Sequence, residues 1–124
     1  MDRATRSKGK IFLIHWNKAE ALSLVQPIES AGWQVQWEAE DGARASKSIE
    51  ENPPQAIIIY LTRLPSHGRE TAHYLRNRAS TRSIPILFVD GNPEAIIKTR
   101  AKIPDGIFTH SAGLLDAVSE FEDV

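Results

Sequence analysis

The sequence predicts an α/β domain in which helices cover both faces of a parallel sheet. Short apolar runs alternate with amphipathic segments along the 124 residues, and such alternation is typical of parallel strands joined by helical crossovers. The run Ala56 to Ile59 contains no polar residue, as expected of a strand that is buried on both faces. A chain of 124 residues is long enough to form one domain with its own hydrophobic core.

Composition excludes several classes of function. The chain has no cysteine, which excludes disulfides, thiolate metal sites and cysteine nucleophiles. Its 15 basic and 16 acidic residues nearly balance, so we expect neither nucleic acid nor a membrane surface as a partner. No apolar run approaches the roughly 20 residues that span a bilayer. We interpret residues 1–9 as a solvated basic arm without a secretory signal, residues 10–121 as the domain and 122–124 as an acidic tail, and expect a cytoplasmic protein.

The first strand and helix are predicted from a compact apolar run and a capping pattern. Ile11 to Ile14 forms the strand. Asn17 and Glu20 resemble a capping box, which predicts a helix from about Lys18 to Ala31 that Gly32 ends. Its apolar positions recur at helical spacing: Ala21, Leu22, Val25 and Ile28.

The second strand differs from the first, because Trp33, Val35 and Trp37 alternate with polar residues. Alternation indicates one poorly covered face, as at a sheet edge. A second helix should then run from about Gly42, capped by Asp41, to Glu51 before two prolines. The third strand is Ala56 to Leu61.

The second half of the chain continues the pattern. We predict a third helix from Gly68 to about Arg78 and a fourth strand from Ile84 to Val89. The Asn92-Pro93 pair is a strong helix start. A turn at residues 104–106 then leads into a fifth strand, residues 107–110. The remaining predictions are a fourth helix that buries Ala95, Ile96 and Ile97, and a last helix that is capped by Ser111 and carries Leu114, Leu115, Val118 and Phe121.

The apolar character of the strands orders the sheet. The first, third and fourth runs are uninterrupted and should be central, whereas the alternating second run should lie at an edge. Right-handed crossovers then favour the order 2-1-3-4-5. In open sheets of this kind, ligands bind beyond the carboxyl ends of the strands.

The segment from Pro54 through Tyr60 to Gly68 matches the frame that surrounds the phosphoacceptor in a known family. On this frame and on the order of elements, residues 10–121 resemble the receiver domain of two-component response regulators, the CheY-like family. The resemblance implies a flavodoxin-like, doubly wound (βα)5 sandwich and a role in phosphorelay signalling.

The chain departs from that family where the family's chemistry lies. Receivers usually end the first strand in two acidic residues that hold Mg²⁺, and His15 and Trp16 stand there. Tyr60 replaces the phospho-accepting aspartate, although Pro65 lies one residue late and makes Leu61 the alternative equivalent. Asp90 replaces the Ser/Thr of the fourth strand and His110 the lysine of the fifth. We therefore predict a degenerate phosphoacceptor pocket in a pseudo-receiver that is not an enzyme and holds no cofactor or metal.

Three alternatives remain open for these residues. His15, Asp90 and His110 at adjacent strand ends, with His67 above Tyr60, could form a zinc or small-ligand site, or each histidine could simply fill space. Tyr60 could be a ring that plugs the pocket or an acid-base group. The phosphoacceptor could instead have moved to Asp90 or Asp41.

Two residue groups are candidates for binding. Arg63, Ser66, His67 and Gly68 surround a predicted helix start, where backbone donors could hold an anion, and further arginines nearby (Arg69, Arg76, Arg78 and Arg82) suit carboxylates or phosphates. Trp16 could be an exposed anchor for a partner or could close the old pocket.

By resemblance, the surface that meets a protein partner is formed by the fourth helix, fifth strand and fifth helix. Receivers often dimerise or dock there. Its mixed charges would allow a self-complementary homodimer. In this chain the surface includes Lys98, Arg100, Lys102, Thr109 and Asp116.

Overall fold

A computed structural model describes residues 7–123, so most of the predicted basic arm (1–6) and the last residue of the predicted tail lie outside the described residues. Strands and helices alternate throughout. The strands are β1 (Lys10–Ile14), β2 (Gln34–Glu38), β3 (Ala56–Tyr60), β4 (Ile86–Val89) and β5 (Ile107–Thr109), and the helices are α1 (Lys18–Ser30), α2 (Gly42–Glu51), α3 (Pro65–Arg76), α4 (Pro93–Lys102) and α5 (Leu114–Ser119).

The five strands form one parallel sheet in the order β2-β1-β3-β4-β5, which confirms the predicted topology. Tyr60 at the end of β3 pairs with Val89 at the end of β4. The carboxyl ends of the strands therefore lie along one edge of the sheet. No helix within residues 7–123 is long and apolar enough to cross a membrane.

Two apolar cores lie on opposite faces of the sheet, because successive side chains of a strand point to opposite faces. In β1, Phe12 and Ile14 pack with residues of α2 and α3, whereas Ile11 and Leu13 pack on the face covered by α1 and α5. All five residues of β3 are buried. The result is the predicted three-layer sandwich.

The predicted helix caps form at three helices. Asn17 accepts a hydrogen bond from the backbone N–H of Glu20 (3.0 Å), and Asn92 accepts one from Ala95 (2.8 Å). Asp41 caps α2 through the N–H groups of Ala43 and Arg44. The capping box at α1 is only half formed, because the Glu20 carboxylate binds Arg63 and His15 instead.

The third helix begins three residues earlier than predicted. Its first residue is Pro65, and it ends at Arg76. Proline is favoured at the first helical position because its φ is already helical and its missing N–H is not needed there. Leu64 precedes it in the left-handed region (φ 43°) and supplies no side-chain cap. Gly68 is consequently a buried residue in the second turn.

Several other predicted details of the helices and of β4 were wrong. Ser111 does not cap the last helix; it opens a 3₁₀ turn, residues 111–113, and α5 starts at Leu114. Ile97 is 68% exposed, and Thr99 takes the buried position on α4. Leu115 is also exposed. β4 begins at Ile86, although Ile84 still packs in the core.

Candidate functional site

The predicted pocket residues follow the ends of their strands, but only some of them meet. His15 lies one residue beyond β1, and Tyr60 ends β3. Their rings contact each other with centroids 4.9 Å apart. Leu61, the alternative equivalent, packs in the core on the other face with α2 and α3.

His15 is buried and belongs to a small polar network. Its Nε2 lies 2.7 Å from Glu20 Oε1, and Arg63 Nη2 lies 2.5 Å from Glu20 Oε2. Hydrogen bonds from Arg63 and then His15 lower the pKa of Glu20 to about 2. Because an ionised carboxylate only accepts, Nε2 must donate. Nδ1 is buried without a hydrogen-bond partner among the described residues.

Tyr60 fills the space beside His15. Its side chain belongs to the core covered by α1 and α5, and only 3% of the residue is exposed. Burial raises the pKa of Tyr60; the nearby Ser111 hydroxyl partly offsets this and the Asp90 charge adds to it. The hydroxyl is nevertheless buried without a hydrogen-bond partner among residues 7–123. The Tyr60 hydroxyl is therefore shielded from solvent.

Both carboxylate oxygens of Asp90 accept hydrogen bonds that stabilise the turn before α5. Asp90 adopts a left-handed conformation (φ 58°) after β4. Its Oδ1 accepts a hydrogen bond from the Ser111 backbone N–H (3.0 Å), and its Oδ2 accepts one from the Ser111 hydroxyl. Asp90 thus fixes the turn that precedes α5. The His110 side chain is 87% exposed to solvent and does not join the contact between His15 and Tyr60. Its Nδ1 lies 3.8 Å from Asp90 Oδ1.

The alternative metal site is not assembled. His67 lies in the first turn of α3, where its ring packs 6.0 Å from the Trp16 ring. Within the described part of the chain, no three histidine, aspartate or glutamate side chains converge on a common point that could hold a metal. The strand-end histidines therefore have separate environments.

Trp16 lies away from Tyr60, towards α2 and α3. It is half-buried, and its Nε1 is buried without a partner among the described residues. It lines a groove of about 380 Å³ together with residues of both helices: Gly42, Ala43, Ser46, His67, Glu70, Thr71 and Tyr74. No pattern in the sequence indicated this groove. Trp16 is therefore neither a freely exposed anchor nor part of the Tyr60 pocket.

The predicted anion site has few free donors. The N–H groups of His67 and Gly68 both donate to the Leu64 carbonyl, and Arg63 is paired with Glu20. Most of the other arginines are also bound within the chain: Arg69 to Thr99, Arg76 to Asp105 and Arg78 to Glu50. These contacts weigh against a phosphate or carboxylate site here.

The predicted interface residues lie on α4, β5 and α5. Lys98, Arg100, Lys102 and Asp116 are exposed and Thr109 is half-buried. Arg100 stacks 4.5 Å above the Phe108 ring, and Lys98 lies 3.9 Å from Glu94. Large apolar side chains are exposed on the same three elements: Ile97 (68%), Ile107 (37%) and Leu115 (44%).

Solved structures with the same architecture are receiver domains. A chemotaxis protein, CheY4 of Vibrio cholerae, superposes with a TM-score of 0.76 at 16% identity, over 93% of this chain and 99% of that one. The chain has the receiver fold. The signal receiver domain of a response regulator from Bermanella marisrubri gives a TM-score of 0.75 at 20% identity, over 94% and 98% of the two chains.

A third neighbour is the receiver domain of a sensor histidine kinase from Pseudomonas aeruginosa PAO1, with a TM-score of 0.74 and 23% identity over 93% of this chain and 98% of that one. That structure has a magnesium ion coordinated in its active site cleft. No protein-family model and no curated protein matches this chain by sequence.

Proposed function

We propose that this chain is a pseudo-receiver: a cytoplasmic signalling domain of a two-component or phosphorelay system that binds proteins and is not phosphorylated on aspartate. The main support for this proposal is the identity and burial of residue 60, which is a tyrosine. A buried tyrosine stands where the receiver resemblance places the phosphoacceptor, beside His15. A phenol cannot form the acyl phosphate on which that switch depends.

The surroundings of Tyr60 support the same conclusion. The Pseudomonas neighbour coordinates magnesium in its cleft, and Mg²⁺ requires oxygen ligands in near-octahedral geometry. Here His15 and Trp16 stand at the end of β1, and both oxygens of Asp90 accept hydrogen bonds from Ser111. Phosphoryl transfer needs acceptor, metal and cation together. In this chain the acceptor carboxylate, the acidic pair and the family's lysine are all replaced.

The proposed activity is therefore protein binding through the face formed by α4, β5 and α5. This face combines exposed apolar side chains, such as Ile97 and Leu115, with charges of both signs. Apolar patches rimmed by charge are typical of protein contact sites. Lys98 and Asp116 could pair reciprocally across a two-fold axis, so a second copy of the chain is the first candidate partner.

Exposure to acetyl phosphate with Mg²⁺ tests the loss of the phosphorylation switch. We expect the intact mass of the protein to stay unchanged. A gain of one phosphoryl group would overturn the proposal. If Asp90→Asn or Asp41→Asn then abolished the gain, the acceptor would have moved to that residue.

Charge reversal tests the binding face. Lys98→Glu and Asp116→Lys should each weaken self-association measured by sedimentation velocity, and the double variant should recover part of it. Lys47→Glu, on the exposed side of α2, is the matched control. Unchanged association in both single variants would exclude this face as the dimer contact.

A further inference from the structure

The groove between α2 and α3 has no part in the proposed protein contact, yet it has the features of a ligand site. Its volume of about 380 Å³ falls within the range of small-molecule pockets. Trp16 and residues of α2 and α3 line it, so it lies on different elements from the α4, β5 and α5 contact face. From its lining we propose that it binds a small organic cation with an aromatic or aliphatic body.

The Trp16 ring is part of the groove lining, and His67 packs edge-on against it with ring centroids 6.0 Å apart. One end of the indole approaches Gly42 in α2, where a Cβ would lie 3.8 Å from Trp16 Cη2, and the other end approaches Gly68 in α3, where a Cβ would lie 3.6 Å from Nε1. The ring therefore spans the gap between the two helices. A tryptophan face is the most favourable aromatic surface for a cation.

The walls offer apolar contact and few hydrogen bonds. The Ser46 hydroxyl donates to the Gly42 carbonyl (2.9 Å), and the Thr71 hydroxyl donates to the His67 carbonyl (2.9 Å). Both hydroxyls thereby use their donor hydrogens within their own helices and can offer a ligand only an acceptor oxygen. Tyr74, 46% exposed, adds a second aromatic ring to the lining, and the Arg78 guanidinium lies 5.2 Å from the centroid of that ring. A ligand with many polar groups would find few partners here.

The charge of the lining favours a cation. Glu70 is exposed at the groove, and no lysine, arginine or histidine within residues 7–123 forms an ion pair with it. The amino end of α2 would attract an anion, but the Asp41 carboxylate already caps its N–H groups. His67 and Tyr74 are the other titratable side chains in the lining, and neither carries a negative charge at neutral pH that would compete with Glu70 for a cation.

The ligand class can be tested with three probes of similar shape: 2-phenylethylammonium, the neutral 2-phenylethanol and the anionic phenylacetate. Each is titrated at pH 8, where imidazoles are ordinarily neutral, into ¹⁵N-labelled protein, and amide and indole resonances are followed. For a probe of this size we expect a dissociation constant on the order of 1 mM for the cation. Shifts should centre on Gly42, Glu70, Thr71 and the Trp16 indole N–H.

Point variants distinguish recognition of the ligand's charge from nonspecific apolar binding. Glu70→Gln should weaken binding of the cation about fivefold, as expected for a partly exposed charge contact, and should leave phenylethanol unaffected. Glu29→Gln, an exposed carboxylate on α1, is the control and should change nothing. Trp16→Leu should remove binding of the cation, with its spectrum confirming the fold. Equal affinity for all three probes, no shifts at about 20 mM cation, or no effect of Glu70→Gln would overturn the proposal.

Discussion

Replacing Glu38 with glutamine should destabilise the domain at neutral pH and have little effect in strong acid. Glu38 ends β2 and is only 8% exposed. Its carboxylate accepts hydrogen bonds from Arg44 Nε and Nη2, both at 2.7 Å, and from the backbone N–H groups of Glu40 (2.9 Å) and Asp41 (3.0 Å). One side chain thus fixes the turn between β2 and α2.

The size of the effect follows from the ionisation of this carboxyl. The hydrogen bond from Arg44, helped by the two backbone donors and opposed by burial, lowers the pKa of Glu38 from 4.5 to about 2. At about 1.4 kcal/mol per unit this limits the stabilisation to roughly 3 kcal/mol. The Arg44 side chain is 56% exposed, so solvent screening reduces our expectation to about 2 kcal/mol.

Because the pKa is lowered on folding, the stabilisation is complete above about pH 4.5 and is lost as the pH falls from there to about 2. For a domain of this size, about 2 kcal/mol corresponds to a melting temperature roughly 8 °C lower for Glu38→Gln at pH 7. The assay is thermal unfolding of both proteins across this pH range.

The matched control is Glu40→Gln, since the Glu40 side chain is 76% exposed and meets Arg44 only at 3.3 Å. It should cost less than about 0.5 kcal/mol. A loss for Glu38→Gln that equals the control, or that is the same at pH 7 and pH 2.5, would refute the reasoning.

Three further predictions concern the packing near the strand ends. Gly68→Ala should lower the free energy of unfolding by about 1–3 kcal/mol, because its Cβ would lie 2.8 Å from Ile59 Cγ2. The control is Gly113→Ala, whose Cβ would meet only the Thr109 hydroxyl at 3.1 Å, and urea denaturation should show a smaller loss of stability for it; equal losses would contradict this prediction. Tyr60→Phe removes a buried hydroxyl that has no hydrogen-bond partner among the residues the structure describes. It should leave the unfolding free energy unchanged or raise it by up to about 1 kcal/mol, and a clear loss would mean that the hydroxyl is hydrogen-bonded. Burial raises the pKa of Tyr60, so an absorbance titration of the folded protein should show one tyrosine that ionises at a higher pH than a free tyrosine, and Tyr60→Phe should remove this step. Because the unfolded chain loses this proton first, the free energy of unfolding should fall as the pH rises above about 10.

Much of the fold was predictable because its signals are local. Unbroken apolar runs identified β1, β3 and β4 as central strands, and alternation placed β2 at the edge. The caps at Asn17, Asp41 and Asn92 depend on residues within one turn of the helix, so they too could be predicted. The start of α3 at Pro65 follows the same proline rule as the start of α4 and could have been found.

The remaining features depend on partners that are distant in sequence. Glu20 leaves its capping box for Arg63, 43 residues away, and Ser111 is drawn to Asp90, 21 residues away. The direction of Trp16 depends on space left by Gly42 and Gly68 on two helices. No local pattern reports such pairings. The substituted pocket residues were visible in the sequence, but the groove beside Trp16 was not.

The most direct test of the central claim is the melting temperature of the purified protein with and without Mg²⁺ plus beryllofluoride, a phosphoryl mimic. A ligand at 100 times its dissociation constant adds about 2.7 kcal/mol, which would raise the melting temperature by several degrees. A pseudo-receiver with Tyr60 in the acceptor position should give superimposable curves. A rise that requires both Mg²⁺ and beryllofluoride would show that the phosphorylation site survives and would contradict the account.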